Sequence, residues 1–119
     1  MTSLSLLRTV AVMAGLLCAL AASAHAMLES TSPANQATVA RAPAALELRF
    51  SHPSRLTSLR LRHEGRDTAL TIDPFATATS HVSVALPVLK AGTWQVHWGA
   101  LSGDGHAMKG NWSFTISAP

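Results

Sequence analysis

Cysteine and tyrosine are almost absent from the 119-residue sequence, which has one cysteine, Cys18, and no tyrosine. A single cysteine cannot form an intramolecular disulfide, so the fold must be stabilised by packing. Charged residues make up only 13% of the chain, and the formal net charge of +3 is too small and too scattered to indicate a nucleic-acid or anionic-membrane partner. The one long apolar run, Val10–Leu20, is too short to span a bilayer. These absences leave a small domain that folds on its apolar core alone.

The first residues have the pattern of a secretory signal peptide. Arg8 supplies a positive charge before the apolar run, and Ala22-Ser23-Ala24 fits the small-x-small motif at which signal peptidase cuts. A cut after Ala24 assigns residues 1–24 to the signal peptide and leaves one domain, residues 25–119, with His25 at its N-terminus. Cys18 leaves with the signal peptide, so any metal site in this domain must use nitrogen, oxygen or thioether ligands.

Two alternatives to this cut stay open. Ala24-His25-Ala26 also fits the motif, and a cut after Ala26 would remove His25. The apolar run is less suited to a third arrangement, in which it is retained as an N-terminal anchor. Only the cut after Ala24 places a histidine at the N-terminus of the domain.

Segments of alternating apolar and polar residues follow one another along the domain, with turn residues between them. In the segment 44–50, Leu46, Leu48 and Phe50 alternate with charged residues, and Pro43 and Pro53 bracket it. No segment has a convincing 3.6-residue period. The alternation predicts seven strands, over residues 25–32, 44–50, 56–62, 68–72, 81–86, 93–101 and 108–117.

Seven short strands at even spacing are typical of an all-β protein. The pattern favours a β-sandwich of immunoglobulin-like type. The apolar residues on the inner faces of these strands form the predicted core, which consists of Leu28, Leu46, Leu48, Phe50, Leu59, Leu61, Val84, Leu86, Trp94, Val96, Trp98, Trp112, Phe114 and Ile116.

Asp104-Gly105-His106 places a carboxylate and an imidazole two residues apart. In an extended segment, such residues point to the same side. A histidine at the N-terminus binds a metal through both its α-amine and its Nδ1, so His25, Asp104 and His106 together offer three nitrogens and one oxygen. This donor set in a square arrangement suits Cu(II), and zinc, which prefers a tetrahedron, is the main competitor. On its own, the motif at 104–106 is more often a polar loop than a metal site.

The domain resembles the CopC family of periplasmic copper-binding proteins, which includes the PcoC and YobA types. The resemblance covers almost all of the domain in order. It is carried by residues 25–34 (HAMLESTSPA), 46–51 (LELRFS), 92–98 (GTWQVHW) and 102–106 (SGDGH), and by the pair Gly110 and Phe114. Each piece is weak alone, but four pieces in the right order make a strong signal.

The resemblance implies a cupredoxin-like or immunoglobulin-like Greek-key β-barrel that holds one Cu(II) through His25, Asp104 and His106. It implies a periplasmic protein of copper homeostasis, resistance or delivery that is not an enzyme. The partner implied is a separate CopD-type inner-membrane copper transporter, and a monomer is expected.

Two departures from the family pattern matter. Some members hold Cu(I) in a methionine-rich loop, but residues 62–80 contain no methionine, and the domain has only Met27 and Met108. The interpretation is a Cu(II)-only member, in which Met108 packs in the core rather than acting as an axial ligand. The second departure is His52, which stands where the family often has an acidic residue. His52 is an additional ligand, a hydrogen-bond partner of a ligand, or a surface residue.

The remaining polar residues have simpler interpretations. His63, His81 and His97 are predicted to lie on the surface, outside the metal site. The densest group of positive charge, formed by the arginines 55, 60, 62 and 66, is predicted to be a solvated strand face and turn.

Two other functions are compatible with the sequence. One is an immunoglobulin-like adhesion or binding module without a specific metal. The other is a small copper monooxygenase, an enzyme class that also uses an N-terminal histidine. The short domain and the absence of tyrosine disfavour the monooxygenase.

Overall fold

A computed structural model describes residues 27–73 and 75–118. These residues form seven strands and no helix: β1 (Leu28–Ser32), β2 (Ala37–Val39), β3 (Ala45–His63), β4 (Arg66–Ala69), β5 (Thr79–Ala85), β6 (Gly92–Ser102) and β7 (Ala107–Ile116). Within these two ranges, no helix is long and apolar enough to cross a membrane. The predicted all-β, sandwich-like fold is confirmed.

The 19-residue strand β3 takes part in both layers of the sandwich. Its first part, from Ala45 to Phe50, pairs antiparallel with β1 and β5. Its second part, from Ser54 to His63, pairs with β6 and β4, and β6 continues through β7 to β2. Ser54 itself is paired with both Thr79 of β5 and Ser102 of β6. The chain therefore passes from one layer to the other at the residues around Ser54.

The prediction of two separate strands at 44–50 and 56–62 was wrong. Pro53 was expected to end the first strand, because proline cannot donate a ladder hydrogen bond. In the structure the strand continues through Pro53. The pairing with β5 skips from Arg49 to Ser54, so no backbone N–H is needed at residue 53 for this pairing. The prediction also missed β2, which pairs parallel with the end of β7, and placed β4 two residues too late.

The core lies where the inner faces of the two layers meet. Leu46, Leu48 and Phe50 are buried, and the edge of the Trp98 ring packs on Phe50 with centroids 5.7 Å apart. All fourteen predicted core residues are buried or packed against the core, and the prediction missed Leu56, Leu89 and Ala100. Burial of each large apolar side chain contributes roughly 1.5–3 kcal/mol, so a core of this size offsets the absence of disulfides.

Candidate metal centre

The loop that joins β6 to β7 carries two of the three predicted ligands. Leu101 pairs with Ala107, and Ser102 N donates to His106 O at 2.9 Å, which closes the loop. Inside it, Gly105 N donates to Ser102 O at 2.9 Å. Gly105 has φ +87°, a conformation that side-chain-bearing residues rarely adopt. The glycine between the two ligands is therefore required by the turn.

Ser102 is the residue around which this loop is arranged. Its hydroxyl is nearly buried, with the residue only 9% exposed. Ser102 Oγ donates to Asp104 Oδ1 and accepts from His106 N at 3.1 Å. The backbone N–H of His106 also reaches Asp104 Oδ1 at 3.3 Å. One hydroxyl thus positions both candidate ligands. This role of Ser102 was not predicted from the sequence.

The side chains of Asp104 and His106 are in direct contact. His106 Nδ1 lies 2.9 Å from Asp104 Oδ2, and both side chains are about half exposed. The hydroxyl of Ser102, then the ring of His106 and its backbone N–H, hold the pKa of the Asp104 carboxyl well below its usual range. The carboxylate is consequently charged at every pH at which the protein is expected to work. The predicted juxtaposition is present, although a turn rather than an extended segment produces it.

The third predicted ligand, His25, and both candidate cleavage positions lie outside the described residues. The first described residue, Met27, is held beside the end of the β1–β3 pairing. Its N–H donates to Ser51 Oγ and its carbonyl accepts from Ser51 N, both at 2.8 Å. Along β3, Ser51 is three residues from Ser54, which pairs with Ser102. The described chain therefore begins at the same end of the sandwich as the Asp104 loop.

His52 is exposed and lies between these two points on β3. Its carbonyl accepts a hydrogen bond of 3.0 Å from Ser54 Oγ. Across residues 27–73 and 75–118, no group of three or more His, Cys, Asp or Glu side chains is placed to hold a metal ion. His52 therefore does not form such a group with Asp104 and His106 in this structure, and its role stays a prediction.

One of the other histidines differs from its prediction. His63 is not a solvated residue: its side chain is 15% exposed, stacks on Trp94 at 4.2 Å, and its Nδ1 lies 2.9 Å from Thr93 O. Gly92 permits this packing, because a Cβ there would be 2.7 Å from the imidazole. His81 is about half exposed, 3.7 Å from Glu47, and His97 is half-buried opposite Arg60 on the outer face of β6.

A family model described as the CopC domain matches residues 28–117, three quarters of the sequence. The chain belongs to the CopC family. The resemblance found in the sequence is confirmed.

Several proteins similar to this CopC-family chain share most of its length. The copper resistance protein C of Escherichia coli is 33% identical over 109 residues, which cover 82% of this chain and 86% of that protein. The copper resistance protein C of Xanthomonas campestris pv. juglandis is 32% identical over 122 residues, which cover 94% of this chain and 95% of that protein.

Two solved structures extend the comparison. The structure of PcoC from Escherichia coli, described as a methionine-rich copper resistance protein, matches with a TM-score of 0.58 and 30% identity over 79% of this chain and all of PcoC. CopC from Methylosinus trichosporium OB3b matches with a TM-score of 0.67 over 79% of this chain and 95% of that one. At 24% identity, this last likeness shows the fold.

Several residues that carry the CopC resemblance have packing roles. Gly110 lies against the Trp98 ring, where an added Cβ would be 3.0 Å from Cζ2 and Nε1. Phe114 is buried near the end of β7, and Trp112 Nε1 donates to Pro33 O at 3.1 Å. Met108 packs against the core, as predicted. Among the described residues, the family pattern is thus largely a core pattern.

Proposed function

We propose that this protein is an exported copper carrier that binds one Cu(II) ion through His25, Asp104 and His106. Membership of the CopC family supports a copper-binding role in copper resistance. The observation that carries the proposal is the ionised Asp104 carboxylate held in contact with His106 at the end of the sandwich.

The two donor atoms are close enough to bind one metal ion together. Two atoms bound to one metal at about 2.0 Å are about 2.8 Å apart at right angles and about 3.3 Å apart in a tetrahedron. His106 Nδ1 and Asp104 Oδ2 are 2.9 Å apart. Replacing their mutual hydrogen bond by two bonds to Cu(II) requires little movement.

The described start of the chain lies near the Asp104 loop. Leu28 pairs with Phe50, and Met27 lies beside Ser51. Ser51 is three residues along β3 from Ser54, whose partner across the sheet is Ser102. Neighbouring strands are about 4.8 Å apart, and two residues extend about 7 Å, so an N-terminal amine and imidazole can reach the Asp104 loop.

The finer features of the proposal follow from the sequence. The signal peptide, residues 1–24, is removed, and the domain 25–119 acts in the periplasm as a monomeric carrier rather than an enzyme. It delivers copper to, or buffers it for, a separate CopD-type inner-membrane transporter. PcoC is described as methionine rich, whereas Met108 of this chain packs on the core and Met27 is 62% exposed. This difference supports a carrier of Cu(II) alone.

The test is the intact mass of the exported protein, followed by titration of the same sample with Cu(II). We expect a mass that starts at His25, one tightly bound copper ion, and an axial electron paramagnetic resonance spectrum of Cu(II) with nitrogen and oxygen ligands. His25→Ala and His106→Ala should each weaken binding strongly. His81→Ala is the matched control, because the His81 side chain is also substantially exposed, at 47% against 64% for His106, and lies next to Glu47 rather than Asp104.

Two results would contradict the proposal. A mass that starts at Met27 would mean that the chelating histidine is removed during export. Copper binding that is equally strong in His106→Ala and in the His81→Ala control would place the ion elsewhere. His52→Ala separates the remaining alternatives: a changed copper spectrum makes His52 a ligand, a weaker affinity with the same spectrum makes it a hydrogen-bond partner, and no change makes it a surface residue.

A further inference from the structure

Arg55 has a buried donor without a hydrogen-bond partner. Its Nε atom is the one buried side-chain nitrogen or oxygen, among the residues that the structure describes, for which no partner is present. Arg55 lies on β3 opposite Leu101, one residue after the crossover at Ser54. A buried donor without a partner is costly, so such an atom in a native protein calls for an explanation, of which a bound ligand is one.

The nearby arginines have partners, and Arg55 does not. Arg60 and Arg62 both lie within 4.0 Å of the Asp67 carboxylate, at 3.9 and 3.7 Å, on the exposed face of the sheet. No carboxylate in the described ranges lies within 4.0 Å of the Arg55 guanidinium. The sequence analysis placed these arginines in one solvated group, but the structure separates Arg55 from the others.

A cavity of about 250 Å³ lies beside Arg55, between β3, β5 and the segment that joins β4 to β5. Leu56, Ile72 and Val84 are among its apolar lining residues, and Thr71 and Thr79 also line it. Its lining includes one carboxylate, Asp73, whose Oδ1 accepts a hydrogen bond of 2.9 Å from Phe75 N. The cavity therefore combines the unpartnered Arg55 donor with apolar residues.

We propose that this cavity binds a small organic carboxylate with a short apolar body, and that Arg55 is its anchor. The carboxylate accepts two parallel hydrogen bonds from the guanidinium, one of them from Nε, and the apolar body lies against Leu56, Ile72 and Val84. Arginine suits this role because its planar donors match a carboxylate in a bidentate pair. Neither Asp104 nor His106 lines this cavity, and its test does not depend on copper binding.

The experiment uses the copper-free exported protein and follows the Arg55 Nε–Hε signal by nuclear magnetic resonance. Isobutyrate is the probe, and isobutyramide is its uncharged equivalent. We expect a saturable shift of the Arg55 signal with isobutyrate and none with isobutyramide. A parallel titration with a short peptide that ends in valine, with a free or an amidated C-terminus, distinguishes a free acid from a polypeptide carboxylate as the natural source.

Variants make the result specific to Arg55. Arg55→Gln should weaken isobutyrate binding at least about tenfold, monitored on the methyl signals of Leu56 and Val84, because the charge-assisted pair is lost. Arg55→Lys keeps the charge but not the bidentate geometry and should bind with intermediate affinity. Arg66→Gln is the control, because Arg66 is exposed on β4. This variant should bind isobutyrate as strongly as the unaltered protein does.

Equal binding of isobutyrate and isobutyramide, or binding that persists in a folded Arg55→Gln variant, would overturn the proposal. A linear, non-saturating response of the Arg55 signal to both carboxylate probes would also overturn it and would assign water to the Nε donor. Arg55→Lys gives a second comparison if Arg55→Gln does not fold.

Discussion

Replacing Ser102 by alanine tests whether the copper site depends on a residue that does not bind the metal. The Ser102 hydroxyl donates to Asp104 Oδ1 and accepts from His106 N, so its removal takes one hydrogen bond from each candidate ligand. The alanine fits, because it is smaller than serine at a site that is 9% exposed. The fold should therefore survive while the two ligands are held less firmly.

The size of the effect follows from which hydrogen bonds remain. After the substitution, the His106 N–H keeps its contact with Asp104 Oδ1 at 3.3 Å, and His106 Nδ1 keeps its contact with Oδ2 at 2.9 Å. Partners of metal ligands typically contribute about 10- to 100-fold to metal affinity. Because two of the contacts survive, we expect a loss near the lower limit, about tenfold.

Affinity is measured by titrating Cu(II) against a competing chelator of known strength. Ser80→Ala on the exposed face of β5 is the matched control and should leave affinity unchanged. A second readout is the carboxyl carbon signal of Asp104, whose pKa should rise towards its ordinary value of 3.8 when the Ser102 donor is absent. An unchanged copper affinity together with a raised Asp104 pKa would refute the argument that Ser102 acts on the metal site.

Three further predictions concern pH and packing. Copper affinity should fall as the pH decreases from about 8 to 5, because the amine and imidazole nitrogens must lose protons to bind; an affinity in chelator competition that stays constant over this range and falls only in stronger acid would instead point to the carboxylate, whose pKa is held low. Gly110→Ala should destabilise the fold by about 1–3 kcal/mol in urea unfolding, because its Cβ would meet the Trp98 ring at 3.0 Å; Gly103→Ala, whose Cβ has no neighbour nearer than 3.6 Å, should cost less, and equal losses would contradict the steric reason. His63→Phe keeps the stack on Trp94 but loses the contact with Thr93 O and should cost about 1 kcal/mol, whereas unfolding unchanged from the unaltered protein would mean that this hydrogen bond adds nothing.

Most of the fold could be predicted because alternation reports burial directly. Leu46, Leu48 and Phe50 are buried at alternate positions, and the same holds for Trp112, Phe114 and Ile116. Pro53 misled the prediction, because a local rule cannot show that the neighbouring strand skips this position. The three residues of β2 carry no alternation that distinguishes them from a loop, and only their pairing with β7 makes them a strand.

The contact between Asp104 and His106 could be predicted from the sequence, but the way in which the loop holds them could not. Asp104 and His106 attract attention because of their chemistry, but a serine two residues earlier is a common residue in any loop. The role of Ser102 depends on the positive φ of Gly105, which turns the chain back so that one hydroxyl meets both residues. The packing of His63 could not be predicted, because only the structure shows that Gly92 leaves room for the imidazole.

The pairing of β7 has a consequence for how the chain folds as it is made. β7 completes the layer by pairing with β6 on one side and with the early strand β2 on the other. β2 therefore cannot form before Phe114, the partner of Ala37, has been synthesised. The pairing of Ser54 likewise requires Ser102. Folds dominated by such distant pairings form on a millisecond-to-second scale. A chain leaving the ribosome from its N-terminus consequently cannot complete this layer until β7 has emerged.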